Sequence, residues 1–258
     1  MTNQQRSKTN SGFIDFLENI IRRHPLVYFF ARSIVRYTNI FEEDANGVKY
    51  LNFKNPLNII DVGASDGIAT NFFIKNLTVN KVICYEPNKS YVNILKTLNR
   101  NKIIVKPYAI GSKKITKVIY FPRYNFLSKK LDLIPYTYYD KKKLIKQVNL
   151  DFNFRKNIKI VKDKLKVKSA GKINSDVDLI KIDVNDNGLS VLKGLSNVIK
   201  KCKPALLIET DSEIKKIERY LKKYRYGKYY FSNSKKQFFK IKKQYPLNTY
   251  FLQTRHLN

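Results

Sequence analysis

Asn58-Ile59-Ile60-Asp61-Val62-Gly63-Ala64-Ser65-Asp66-Gly67 is the stretch whose reading decides the fold. The apolar run Leu57 to Val62 reads as a parallel strand buried on both faces. It ends at Gly63, with Gly67 four residues on. Ile68, Phe72, Phe73 and Leu77 then share one helical face. Strand, glycine turn and helix form the opening unit of a doubly wound nucleotide-binding sheet. The glycines admit close backbone approach, and the helix N-terminus favours a negative group.

The spacing bears on the ligand. A dinucleotide fingerprint places a third glycine where this chain has Ile68 and Ala69. Asp61-x-Gly63-x-x-x-Gly67 suits a ligand with a carboxylate and no pyrophosphate, such as S-adenosylmethionine. A second strand, Lys81 to Tyr85, ends at Glu86 and Pro87. A carboxylate there is placed to accept both ribose hydroxyls. Each piece has a plainer reading, an ordinary strand-to-helix connection and a solvated strand-end charge. Their order and separation favour the cofactor.

The remaining pattern is α/β. A helix is expected over Lys89 to Leu98 and a strand at Ile103 to Val105, then the turn Tyr108-Ala109-Ile110 at the ligand-binding end of the sheet. Val118 to Phe121 and Ile158 to Val167 read as strands. Leu179 to Val184, ending at Asp183, and Ala205 to Ile208, ending at Glu209, read as buried strands. Helices are expected over Leu189 to Lys200 and Ser212 to Lys223. Strands near Tyr226–Phe231 and Asn248–Leu252 fit an antiparallel pair at the sheet edge. Residues 122–157 show no clear period and read as a lid or acceptor-binding insertion, whose Tyr124, Phe126, Tyr136, Tyr138 and Tyr139 either stack on a ligand or form their own small core.

The expected organisation is an N-terminal helical extension, 1–56, and a main domain, 57–258. In the extension, Phe13, Leu17, Ile20 and Ile21 line a helix over 11–23. Leu26, Phe30, Ile34 and Tyr37 line another over 25–39. Packing on the main domain is favoured over contact with an anionic membrane. Residues 41–56 read as a polar connection with an acidic cluster at Glu42, Glu43 and Asp44.

The net charge is +31. It is spread along the chain, so solvated charge is favoured over a dedicated nucleic-acid surface. Anionic lipid or acidic glycan remains open as a partner. There are two cysteines, Cys84 and Cys202, and no Cys/His metal pattern. These features, with a polar N-terminus, point to the cytoplasm, with the inner membrane face as the alternative. His24 and His256 fall outside the motifs and read as structural or solvated. Oligomeric state is not legible.

Six pieces in register resemble the FkbM-type family of S-adenosylmethionine-dependent methyltransferases: Ile60-Asp61-Val62-Gly63-Ala64, Tyr85-Glu86-Pro87-Asn88, Ala109-Ile110-Gly111, Asp178 through Val184, Val191-Leu192-Lys193-Gly194, and Lys203 through Glu209. The resemblance covers about residues 57–252. It implies a seven-stranded Rossmann-like fold and methyl transfer to a hydroxyl oxygen of a sugar or polyketide-type acceptor, commonly in surface polysaccharide or glycolipid synthesis. One loop departs. The family's Glu-Gly-x-Glu is replaced by Asn185-Asp186-Asn187-Gly188.

The cofactor is therefore expected across Asp61, Gly63, Ala64, Ser65, Gly67, Glu86, Pro87, Tyr108, Ala109 and Ile110. A sugar hydroxyl is a poor nucleophile, so help from a general base or a metal is expected. The candidates are Asp183, then Asp186, then Glu209. Asp183, Glu209 and Asp211 have the oxygen chemistry of a divalent-cation site, but no spacing demands one, and no metal is expected. The competing functions are a nucleic-acid methyltransferase, a non-catalytic relative and, weakly, an NAD-dependent enzyme.

Overall fold

A computed structural model describes residues 25–37, 41–54, 56–98, 101–126, 129–133, 137–151, 157–171, 173 and 175–257. The helix expected over 11–23, His24 and Tyr136 lie outside them. In chain order the elements are α1 (Pro25–Tyr37), a 3-10 helix (Glu43–Tyr50), β1 (Leu57–Val62), α2 (Ile68–Asn76), β2 (Val79–Tyr85), α3 (Lys89–Thr97), β3 (Ile103–Lys106), β4 (Ala109–Ile110), β5 (Ile115–Phe126), β6 (Lys129–Asp132), α4 (Lys141–Asp151), β7 (Ile158–Lys168), β8 (Leu179–Ile182), α5 (Gly188–Gly194), α6 (Ser196–Cys202), β9 (Ala205–Glu209), α7 (Ile214–Lys222), β10 (Gly227–Ser232), β11 (Gln237–Lys240) and β12 (Asn248–Leu252). They fall into two compact units. The larger takes Val35–Ile119 and Asp163–Asn258; the smaller takes Tyr120–Lys162 and the chain up to Ile34.

The larger unit is built on a sheet of order β11-β10-β12-β9-β8-β1-β2-β3. β1 lies at its centre, parallel to β2 and β8. Its apolar run has a reason: both faces are covered. Ile59, Phe72, Phe73 and Leu95 pack in one core, and Ile60, Ile180, Leu192 and Ile199 pack in the other. The α/β Rossmann-like expectation holds.

Three details differ. The sheet has eight strands, not seven, because β11 folds back on β10. The two closing strands do pair, but not at the edge: β12 inserts between β9 and β10. All five β12 residues are buried, which suits an interior strand. The helix expected over 189–200 is two helices that meet at Leu195.

Residues 41–56 are not merely a connection. Ala45 and Val48 are fully buried in the same core as Phe231 and Tyr250. Three-residue spacing puts them on one face of a 3-10 helix, which an α-helical or strand period does not reveal. The hydroxyl of Tyr250 donates to the Asp44 carbonyl at 2.9 Å, and Gly47 leaves the space that Phe231 and Tyr250 fill.

The smaller unit has regular structure where none was expected. β5 runs on to Phe126 and pairs antiparallel with β6. Arg123 and Asp132 form an ion pair across that ladder. Asp140 caps α4, its Oδ1 accepting from Lys142 N at 2.7 Å. Leu133, Leu144 and Val148 form a small core with Tyr120, Tyr138, Ile158 and Ile160. α4 escapes a periodicity reading because Ile145 and Leu150, also apolar, stay exposed. Tyr138 therefore serves the small core, Tyr124 is buried, and burial raises the Tyr139 hydroxyl to about 12.

On α1, the face expected to pack is exposed at Leu26, Phe30, Ile34 and Tyr37. The last turn is tied down through its backbone instead: Asn71 Nδ2 donates to the Arg36 carbonyl at 2.6 Å. Among the described residues, no helix is long and apolar enough to cross a membrane.

Candidate functional site

The turn after β1 is shaped by its neighbours. Gly63 has φ 77°, and a Cβ there would lie 1.9 Å from the Asp183 carbonyl oxygen. Gly67, at φ 84°, starts α2. Between them Ser65 adopts φ 51°, so its N–H points to Glu86.

Glu86 stands at the end of β2 and holds two backbone donors. Ser65 N donates to Oε2 at 2.9 Å and Asn88 N to Oε1 at 2.8 Å. Burial raises its carboxyl to about 7, although both N–H groups favour the charged form. A carboxylate offers about four lone-pair sites, so capacity remains for further donors. The Ser65 Oγ is buried without a hydrogen-bond partner. A strained turn with an orphan hydroxyl beside a strand-end carboxylate fits a hydroxyl-rich ligand.

The other residues expected on this side are placed as follows. Asp61 is fully buried beneath the turn. Its Oδ2 accepts from Thr70 Oγ1 at 2.6 Å, and its Oδ1 lies 3.7 Å from Lys181 Nζ. Ala64 is buried in the core, and Pro87 lies between Glu86 and the α3 cap, Asn88. Tyr108 packs edge-on to Tyr85, with centroids 5.6 Å apart. Ala109 and Ile110 are drawn into a parallel ladder with β7.

The carboxyl ends of β8 and β9 carry the charged chemistry. Lys181 is buried on an otherwise apolar strand. Its Nζ lies 3.1 Å from Asp183 Oδ2 and 3.4 Å from the Gly63 carbonyl. Burial opposes its charge, but Asp183 and Asp61 outweigh burial and raise its pKa. Asp183 keeps its side chain 41% exposed. Glu209 is hydrogen-bonded to Asp183, and burial, then the Asp183 charge, raises it to about 9. Repulsion between the two carboxyls favours a proton shared within the pair.

Asp186 goes elsewhere. Asn185 and Asp186 both have positive φ, 41° and 56°. Asp186 Oδ1 accepts from Ser212 Oγ at 2.6 Å, and Asp186 N donates to Asp211 Oδ2 at 2.9 Å. The altered loop is stitched to the residues before α7. The structure thus brings Asp183 and Glu209 together and ties Asp186 to Ser212.

Sequence reading missed Lys181, Glu42, Asp44 and Asn248. Asn248 lies opposite Glu209 in the β9–β12 ladder. Its Nδ2 donates to Glu42 Oε2 at 2.6 Å and to Asp44 Oδ1 at 2.9 Å. Its N–H donates to Asp44 Oδ2 at 2.8 Å. The signals were a lone lysine in a buried strand and an acidic cluster before an apolar pair. Among the described residues, no group of three or more His, Cys, Asp or Glu is arranged to hold a metal ion. His256 is structural: it is buried, its Nδ1 accepts from Gln253 N at 2.9 Å, and burial lowers it to about 4.

A family profile, the methyltransferase FkbM domain, matches residues 61–227. Among solved structures, an FkbM methyltransferase from Methylobacillus flagellatus KT is similar at 17% identity and TM-score 0.47, covering 80% of this chain and 48% of that one. The chain thus spans about half the length of that protein. TrmK from M. capricolum, solved with S-adenosylhomocysteine, is similar at 12% identity and TM-score 0.40, covering 86% and 72%. A precorrin-6y C5,15-methyltransferase from Geobacter metallireducens GS-15 is similar at 12% identity and TM-score 0.39, covering 83% and 89%. No curated protein sequence matches the chain significantly.

Proposed function

Because the chain belongs to the FkbM methyltransferase family, we propose that it methylates a sugar hydroxyl of a glycan or glycolipid with S-adenosylmethionine. The observation that carries this reading is the Asp183–Glu209 pair, held by Lys181 at the strand ends beside the glycine turn. S-adenosylmethionine supplies an electrophilic methyl carbon on a sulfonium sulfur. Glu86 would receive its ribose hydroxyls, and the Gly63–Gly67 turn with Ser65 Oγ would line its path.

Asp183 is the base. Its carboxylate is open to solvent, and Lys181 and Glu209 fix it from behind. It takes the acceptor's hydroxyl proton as the oxygen–carbon bond forms and the carbon–sulfur bond breaks, leaving the electron pair on sulfur. Lys181 also contacts the Gly63 carbonyl, so one ammonium ties the base to the cofactor turn. Carboxylates concentrated at this edge oppose phosphate, which favours a hydroxylated acceptor over a nucleic acid.

The test is S-adenosylhomocysteine formation by the purified protein with a panel of glycan acceptors and with RNA. Turnover on glycans alone supports the reading; turnover on RNA alone overturns it. Cofactor binding with no turnover, recovered only after Glu-Gly-x-Glu replaces residues 185–188, would make the chain a non-catalytic relative.

A further inference from the structure

The altered loop at Asn185–Gly188 lacks the glutamates of its family, yet the crevice beside Asp183 does not lack carboxylate. It is supplied from the opposite end of the sequence. Ala45 and Val48 anchor the 3-10 helix in the core, and Ala45 N donates to the Glu42 carbonyl at 2.9 Å. Asn248, itself 3% exposed, spends its side-chain N–H groups on Glu42 and Asp44. It sits opposite Glu209 in the sheet, so it sets Glu42 beside the Asp183–Glu209 pair. Burial raises the Glu42 carboxyl; the Asn248 bond and the Lys181 charge favour its charged form, and the Asp183 charge opposes it.

We propose that Glu42 is an acceptor-binding residue, held by Asn248 so that its carboxylate receives a hydroxyl of a neutral, polyhydroxylated acceptor. The proposal rests on the methyl-transfer reading above and narrows its substrate class. Glu42 is exposed to solvent, and Asn248 occupies one lone pair of Oε2, so acceptor capacity is left over. A hydroxyl donating to a charged carboxylate forms a strong, directional bond. An anionic acceptor meets Glu42, Asp44 and Asp183 together and is repelled, in a chain whose overall charge is +31.

A purely structural Glu42 would only clamp Asn248. E42Q separates the two roles: the amide oxygen still accepts from Asn248, but the charge is gone. Initial rates are measured for wild type, E42Q and E42D with methyl glucoside, methyl rhamnoside and their phosphorylated counterparts, with calorimetric S-adenosylmethionine binding on the same proteins. The expected result is a KM for the neutral glycosides about tenfold higher in E42Q, the difference between a charged and a neutral acceptor. kcat and cofactor affinity stay within about twofold, and E42D recovers part of the loss. An unchanged KM overturns the proposal, as does a cofactor affinity that falls in step with KM.

Should wild type methylate no glycoside, the underlying reading has failed on its own, and the free protein decides the placement of Glu42. NMR shifts of labelled glutamate carboxyls, assigned through E209Q, then report Glu209. A midpoint that falls in E42Q keeps Glu42 in the crevice; an unmoved one removes it.

Discussion

The glycine turn and the carboxylate cluster proposed to receive the acceptor lie on the same edge of one sheet, yet they are built on different plans. The turn is local. Gly63, Ser65, Gly67 and Glu86 come from one strand-helix-strand unit, and the turn's bonds are made by backbone N–H groups, to neighbouring carbonyls and to the Glu86 carboxylate. The other cluster is assembled. Lys181, Glu209, Glu42 and Asn248 come from separate parts of the chain, brought together by strand pairing and side-chain bonds. Backbone geometry tolerates little, whereas a side-chain cluster can change members while keeping its charge. That difference explains how the loop at 185–188 can depart from the family while the motifs around β1 and β2 do not.

The sharpest way to break the comparison is to remove the base. Asp183→Asn is expected to lower turnover by about 100-fold or more, while calorimetry shows S-adenosylmethionine binding retained. Glu209→Gln should keep most activity, because Glu209 already holds its proton at neutral pH. Equal losses in both variants would mean that the carboxyls are not divided as base and support.

Next is the cofactor side. Glu86→Ala removes the proposed acceptor of the ribose hydroxyls and is expected to weaken cofactor binding by about 10- to 100-fold, from about 1.5–3 kcal/mol of charge-assisted bonding. Equal calorimetric affinities would take Glu86 out of the site.

Acidity gives a third, smaller effect. In the proposed role Glu86 would receive ribose hydroxyls in its charged form, and burial raises its carboxyl to about 7. Affinity should therefore rise about tenfold from pH 6 to pH 8. Stability runs the other way. The folded pKa lies above the unfolded value of about 4.3, so the contribution is full below that value and lost as pH rises through about 7. Thermal melts of the free protein from pH 5 to pH 8 should show this decline, and Glu86→Gln should flatten it.

The smallest effect is expected at Asp186. Its bonds to Ser212 place it in the loop's scaffolding, so Asp186→Ala should cost about 1 kcal/mol of stability and leave turnover nearly unchanged. A turnover loss approaching that of Asp183→Asn would return it to the chemistry.

What the sequence made legible follows the same division. β1, the two glycines and Glu86 could be read because strand, turn and strand end are neighbours in the chain. Asp183 and Glu209 could be read as strand ends. Glu42 could not, since nothing local shows that Asn248 will lie beside Glu209 and reach back to it. Lys181 is hidden by its surroundings, an apolar strand whose charge meets Asp61 and the Gly63 carbonyl only after β1 docks alongside. The small core of the insertion was one of two readings, but its helix was missed for a different reason: α4 buries Leu144 and Val148 but leaves Ile145 and Leu150 in water, which blurs its period.

The placement of β12 between β9 and β10 sets an order on the birth of the protein. The bond from Asn248 to Glu42 closes a span of 206 residues. A ribosome that has delivered β1, α2 and β2 has delivered the whole glycine turn and Glu86, but Glu42 waits unheld until nearly all of the sheet has emerged. Vectorial synthesis therefore completes the nucleotide-facing half first and the acceptor-facing half last. A nascent chain stalled before Asn248 lacks the side chain that clamps Glu42.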